Sequence, residues 1–328
     1  MTKMEISVEL GENEWDPMAF VDATVFAEEM GFRTAWFGDH IFPWFHSGKR
    51  SSFVWSVMAA ALERSHAIRV GPWVTVPTGA RYHPAIIAQA AATLDNMYPG
   101  RIQLGVGSGE ALNERPFWND RWPNWERMDR LTEGIRLMRQ MWESKEPFKF
   151  DGKFFSSDFY YLYTKPRRRI PVYASAIGKR AAYAAGKYAD GLISIAPRAG
   201  DVQRLRDVIF PEYRRGRSDL NGQGPGRVAL EILFSFDKPE EIVKKSWRTL
   251  GIYAKDAWSI PNPIAVEEAG KKVTVEDVKK GFYLCKTWKD LVKVVETFQQ
   301  IGVNECTFTI GCDKRLIRAL AKNVLSVF

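Results

Sequence analysis

Glu9-Leu10-Gly11-Glu12-Asn13-Glu14 closes the first predicted strand, residues 4–9, and decides between two architectures built from alternating strands and helices. In an open doubly wound sheet this first turn normally cradles a pyrophosphate on glycines and a helix N-terminus. Here the turn is acidic and would repel one. A closed (β/α)8 barrel makes no such demand, because its sites gather at the C-terminal ends of several strands.

The rest of the chain keeps the same alternation. Strands are expected at 34–37, 68–76 and 102–106, with helices at 18–30, 53–63, 84–97 (opened by Pro84) and up to about 142. An interruption rich in Phe and Tyr spans 147–165. Strands then follow at 171–174, 191–195, 228–236 and 305–310, and helices at 178–187, 201–214, 239–250, 287–300 and 313–324. A second interruption, 256–280, holds Pro261-Asn262-Pro263 and a charged stretch. Eight strand–helix units with two insertions predict a TIM barrel formed as one domain over 1–328.

Composition narrows the function. With 45% hydrophobic and 26% charged residues over 328 positions, the chain can bury a large core and is not disordered. No run of 18 apolar residues exists, and Met1-Thr2-Lys3-Met4-Glu5 lacks a secretion pattern, so a cytoplasmic protein without a membrane segment is expected. Cys285, Cys306 and Cys312 are odd in number and lack CxxC spacing, which argues against a disulfide framework and a zinc site; no metal is expected. The net charge of +8 is spread along the chain, which fits a solvated surface and an anionic cofactor or substrate better than nucleic acid.

Three stretches carry chemistry. Asp39-His40 ends the strand at 34–37, so a base able to take a proton near neutral pH stands beside a carboxylate at the catalytic face. Trp44, in Phe42-Pro43-Trp44-Phe45, offers an aromatic wall and an indole N–H for a developing oxyanion; simple loop packing is the plainer reading. Gly105-Val106-Gly107-Ser108-Gly109-Glu110-Ala111-Leu112-Asn113-Glu114 presents Glu110 on a glycine-rich turn whose backbone could approach a ligand ring. Its glycine spacing differs from the dinucleotide fingerprint. Ala176-Ile177-Gly178-Lys179-Arg180 opens a helix after a strand, where backbone N–H groups and two cations suit a phosphate.

Taken together, Gly38-Asp39-His40 with Trp44, Arg81-Tyr82-His83-Pro84-Ala85-Ile86-Ile87-Ala88-Gln89, and Gly107 to Glu114 resemble the coenzyme F420-dependent dehydrogenases of the luciferase-like superfamily. That group includes secondary alcohol and glucose-6-phosphate dehydrogenases. The likeness extends to Met97-Tyr98-Pro99-Gly100-Arg101 and Leu162-Tyr163-Thr164-Lys165-Pro166. The resemblance implies a barrel, usually a homodimer, that binds F420 in its mouth and oxidises or forms a CH–OH group. It implies contacts to the ring from Asp39 and from a Trp73-Val74 peptide that is a non-proline cis bond. It places Gly109, Glu110 and Asn113 near the pyrimidine end, and Ala176, Ile177 and Gly178 at the phosphate. His40 would then take the hydroxyl proton, Glu110 protonate the ring nitrogen and Trp44 steady the substrate oxygen.

The substrate side departs from that pattern. Asn13 stands where related members carry a glutamate, between Glu12 and Glu14. Of three cations that hold the sugar phosphate in relatives, Arg198 has a basic match; the others fall on Ala257 and Gly281, with Lys255 and Lys280 nearby. A small alcohol is therefore favoured over glucose 6-phosphate. Rival readings are an FMN-dependent monooxygenase of the same barrel, which needs no acid–base pair for a carbinol, an F420-dependent methylene-tetrahydromethanopterin reductase, and a non-catalytic cofactor carrier.

Overall fold

The computed structural model describes residues 3–11, 15–118, 125–195, 201–219, 226–254 and 257–328. Asn13, Arg198 and Lys255 lie outside the described residues. Eight parallel strands form the sheet: β1 Glu5–Leu10, β2 Thr34–Phe37, β3 Arg69–Pro72, β4 Leu104–Val106, β5 Val172–Ser175, β6 Gly191–Ile195, β7 Arg227–Ile232 and β8 Glu305–Thr309. Their order is β3-β2-β1-β8-β7-β6-β5-β4. Isolated parallel bridges Val70–Ile102 and Thr75–Val106 join β3 to β4 and close the ring. This is the expected (β/α)8 barrel.

The strands are buried on both faces, as parallel strands between an outer helix layer and a filled interior must be. Side-chain hydrogen bonds start several outer helices: Asp16 accepts from Ala19 N at 3.0 Å, and Thr287 and Asp290 form a reciprocal capping box. The large core lies between sheet and helices. A smaller one, Trp36, Tyr173, Ile193 and Ala229 with Trp73 and Val74 against it, fills the barrel itself.

Charged residues plug the N-terminal end of the barrel. Arg227 pairs with both Glu5 and Glu305, the latter at 3.0 Å, and Arg69 pairs with Glu5. Trp36 Nε1 donates to Glu305 at 2.8 Å and Thr34 to Glu5 at 2.6 Å. Above them Ser7 and Thr307 share a hydrogen bond of 2.8 Å. At the C-terminal end Glu231 accepts from Thr309 Oγ1 at 2.8 Å and from Trp73 Nε1 at 3.4 Å.

Two long expected strands are shorter than their apolar runs. The run 68–76 leaves the ladder at Pro72, the Trp73–Val74 peptide is cis, and Thr75 resumes pairing with the β4 side. The run 228–236 divides: β7 ends at Ile232, and Phe234–Ser235 pairs with Tyr283–Leu284. Apolar continuity marks burial, and the ladder stops where backbone direction changes. The first interruption is an antiparallel hairpin, Phe148–Asp151 with Ser156–Tyr160. Its turn is fixed by Glu133, which accepts from the N–H groups of Lys153, Phe154 and Phe155 at 3.0, 2.8 and 2.7 Å. The second contains helices Pro263–Gly270 and Val275–Gly281, with a small core of Ile242, Leu250, Val273 and Val278.

Candidate active site

Asn113 ties the site together. Its carboxamide oxygen accepts from Ile41 N at 2.8 Å and Phe42 N at 3.2 Å, which fixes the orientation of the amide. The Nδ2 group donates to Glu110 Oε1 at 2.6 Å and faces His40 Nδ1 at 2.8 Å. The loop after β2 and the helical turn after β4 are thereby locked, with His40 Nε2 3.9 Å from Glu110 Oε1. Glu110 precedes the turn Ala111–Glu114, so Glu110, Asn113 and Glu114 fall on one side of it.

His40 Nδ1 also lies 3.3 Å from the Phe42 carbonyl oxygen. It therefore has a donor on one side and an acceptor on the other. An unprotonated Nδ1 is served by Asn113 and a protonated one by Phe42, so Nε2 can face the site with or without a proton. The Trp44 ring stands 4.9 Å from His40, and Trp258 meets Trp44 edge-on at 6.1 Å. The second insertion thus reaches the site, and Glu267 holds it there by accepting from Ser47 N at 2.9 Å.

Beneath this layer Arg81 connects two buried carboxylates. Its guanidinium lies 3.2 Å from Asp39 Oδ1 and donates to the Asp39 carbonyl at 2.8 Å, while Nε sits 3.3 Å from Glu114 Oε1. Tyr82 donates to Asp39 Oδ1 at 3.2 Å, and burial together with Asp39 raises the phenol above its ordinary range. Asp39 Oδ2 has no hydrogen-bond partner among the described residues. Burial pushes the Glu114 carboxyl up to about 8; Arg81 and Arg127 oppose the rise, Glu110 and Asp39 add to it.

The glycines of the 105–109 run answer to protein before any ligand. A Cβ on Gly107 would meet Val74 Cγ2 at 2.5 Å. Gly109 has φ +80°, and a Cβ there would lie 2.6 Å from Glu114 Cγ. Their smallness makes room for the Trp73–Val74 bulge and for the Glu114 side chain, a packing reason that the spacing of glycines does not reveal.

Asp39, His40, Trp44, Glu110 and Asn113 are therefore brought together at the C-terminal ends of β2 and β4, with Trp73 and Val74 on the barrel side. Ala176, Ile177 and Gly178 follow β5, the neighbour of β4. Ala176 is buried and Ile177 is 47% exposed. Arg204 Nη2 donates to the Ile177 carbonyl, adding a cation beside that turn. Lys280 is exposed at the end of helix Val275–Gly281, and none of the contacts described above joins it to the His40 group. A cavity of about 510 Å³ opens at the other end of the barrel, lined in part by Lys3, Glu5, Tyr213 and Arg227, and carries none of this chemistry. Among the described residues no group of three or more His, Cys, Asp or Glu could hold a metal.

Arg81, Tyr82, Glu114 and Arg204 carry no role in the sequence reading. Arg81, Tyr82 and Glu114 do occur in its motif stretches, but burial and mutual contact, which single them out, are three-dimensional.

A parallel barrel with a histidine, a glutamate and a buried carboxylate–arginine bridge at its C-terminal face has the layout of a barrel enzyme's active site. The chain belongs to the luciferase-like monooxygenase family, whose model it matches over residues 1–305. It is similar to the F420-dependent glucose-6-phosphate dehydrogenase of Gordonia bronchialis, with 32% identity over 95% of this chain and 94% of the relative. The enzyme of that name from Mycolicibacterium smegmatis is 33% identical, over 99% of this chain and 98% of its own length. Among solved structures, an F420-dependent secondary alcohol dehydrogenase in complex with an F420-acetone adduct superposes with a TM-score of 0.87 at 30% identity, covering 99% of both chains.

Proposed function

We propose that the protein is an F420-dependent oxidoreductase acting on the CH–OH group of a small alcohol or sugar. The observation that carries this reading is the Asn113 amide, which faces His40 at 2.8 Å and Glu110 at 2.6 Å, coupling a base to an acid at the barrel mouth. The relatives' names support the cofactor.

The residues present fit a deazaflavin. Asp39 Oδ2 is an orphaned buried acceptor, suited to N–H donors on a ring edge. The Ile177–Gly178 turn begins helix Lys179–Tyr188, where backbone N–H groups beside Lys179, Arg180 and Arg204 suit a phosphate. When bound, the cofactor supplies the hydride chemistry. His40 takes the substrate hydroxyl proton at Nε2 while its Nδ1–H stays on the ring and donates a hydrogen bond to the Phe42 carbonyl. In the reverse direction it returns the proton to the nascent alkoxide. Trp44 holds the substrate oxygen and excludes water, and Glu110 exchanges a proton with the cofactor edge.

A small secondary alcohol is the preferred substrate, on the strength of the structural neighbour and the sparse match to the sugar-phosphate cations. The glucose-6-phosphate relatives favour a phosphorylated sugar as the second reading. The same reading makes the enzyme a cytoplasmic homodimer, which light scattering and cell fractionation check; among the described residues no helix is long and apolar enough to cross a membrane.

Fluorescence titration with F420 and with FMN, followed by isopropanol or glucose 6-phosphate, tests the proposal. F420 binding with cofactor reduction by one substrate supports it; binding of FMN alone moves the chain to flavin oxygenase chemistry. His40→Ala and Glu110→Gln are expected to bind F420 and lose about 10²–10⁴-fold in turnover. Retained turnover rejects those roles.

A further inference from the structure

Glu114 has no part in the proton transfers above, yet it is the most confined carboxylate of the site. Its side chain is 0% exposed, and neither oxygen has a hydrogen-bond partner among the described residues. Arg81 Nε is close, at 3.3 Å, but out of line for a hydrogen bond, and the rest of that guanidinium is committed to Asp39. Packing alone would be met by leucine or methionine. The space is nevertheless kept for this side chain, because Gly109 admits no Cβ over it.

The groups facing Glu114 come from every side. The segment before helix Pro84–Met97 contributes Arg81 and Tyr82, and the end of β2 contributes Asp39. Its own helical turn contributes Glu110, with His40 one hydrogen bond further through Asn113. Helix Arg127–Glu143 contributes Arg127, which donates to the Gly109 carbonyl. If Glu114 were ionised, three carboxylates (Asp39, Glu110, Glu114) would face two guanidinium groups (Arg81, Arg127), with Glu114 and Asp39 themselves buried. A buried carboxylate without donors is disfavoured by several kcal/mol. As an uncharged acid it leaves two against two.

We propose that Glu114 is a positioning residue that works uncharged, seating Arg81 against Asp39 and leaving Glu110 as the one acid of its helical turn that exchanges protons with the site. This rests on the F420-dependent reading given above. Once alkaline solution removes the Glu114 proton, the new charge competes with Asp39 for Arg81, repels the Glu110 carboxylate and opposes the arrival of an anionic cofactor. The site then loosens without any change in the groups that touch substrate.

Two measurements on the full-length protein test this. Difference infrared spectroscopy without cofactor is expected to show a buried protonated carboxyl at neutral pH that disappears by pH ~9.5 and is missing from Glu114→Gln. F420 titrations at both pH values should give an affinity ratio of about ten in the native protein and close to one in Glu114→Gln. If that variant does not fold, Glu114→Met, uncharged and similar in volume, replaces it in both arms. Absence of the carboxyl band at neutral pH, or a parallel fall in affinity in native and variant protein, overturns the proposal. Failure of the native protein to bind F420 at any pH overturns the functional reading instead, and the infrared result then still decides whether Glu114 is uncharged.

Discussion

Glu305 at the N-terminal end of the barrel and Glu114 near its C-terminal end are carboxylates of equal seclusion with opposite surroundings. Glu305 is pushed up by burial and by Glu5, yet it accepts from the Trp36 indole and pairs with Arg227. Burial also disfavours ionisation of Glu5, but Arg227 and Arg69 outweigh it and hold that carboxyl below its ordinary range. Two acids face two arginines there, and donors reach both acids. Glu114 shares Arg81 with Asp39 and receives no hydrogen bond among the described residues. A buried carboxyl that donors and a cation reach belongs to the architecture; one that no donor reaches is more economically explained by chemistry.

The largest expected break in this contrast is Arg227→Leu. It strands Glu5 and Glu305 without their shared cation and is expected to cost about 3–5 kcal/mol in urea denaturation. Unchanged stability would show that the charges at that end are incidental. Next comes pH. The unfolded chain gives up the Glu114 proton near the ordinary glutamate value of 4.5, whereas the folded protein keeps it to about 8. The raised value means that this contribution to stability is full below pH 4.5, declines as pH rises and is gone by about 8, a loss on the order of a few kcal/mol. Denaturation at pH 5 and 8 should show it, and Glu114→Gln should flatten the difference. Glu5, whose value is depressed, acts in the opposite sense: its contribution is present above 4.5 and is lost on acidification.

Asn113→Ala removes the donor to Glu110 and the acceptor for Ile41 and Phe42. A loss of about 1.5–3 kcal/mol, roughly tenfold to a hundredfold in turnover, is expected in steady-state assays. A smaller effect would mean that the two loops hold their register without it. The smallest effect belongs to the surface: Arg215→Ala breaks an exposed pair with Glu212 and should move stability by less than ~0.5 kcal/mol. That result would underline how much burial contributes at both ends of the barrel.

Local signals made much of this molecule legible in sequence. Strands Thr34–Phe37 and Gly191–Ile195 and helix Pro84–Met97 fall on their expected residues, because short apolar runs between turns and a proline-started helix declare themselves in a few residues. Strand β3 was harder to delimit. Its apolar run continues through Val74, Thr75 and Val76 while the backbone leaves the ladder at Pro72. Asp39, His40, Trp44, Glu110 and Asn113 form a recognisable motif set, and the structure brings them together. Arg81 and Glu114 stand in the motif stretches with no role of their own. Their importance lies in partners shared or missing, which no linear pattern contains. Asn13, Arg198 and Lys255 remain the substrate-side expectation of the sequence alone.

The edge-on pair of Trp44 and Trp258 makes the second insertion visible to light. Two indoles 6.1 Å apart and inclined at 79° couple their transitions as an exciton. Their sign and intensity in circular dichroism follow how the insertion sits on the loop after β2. Subtracting the spectrum of Trp258→Phe isolates that couplet from the other tryptophans. The protein thus carries a label-free optical gauge of its own active-site entrance.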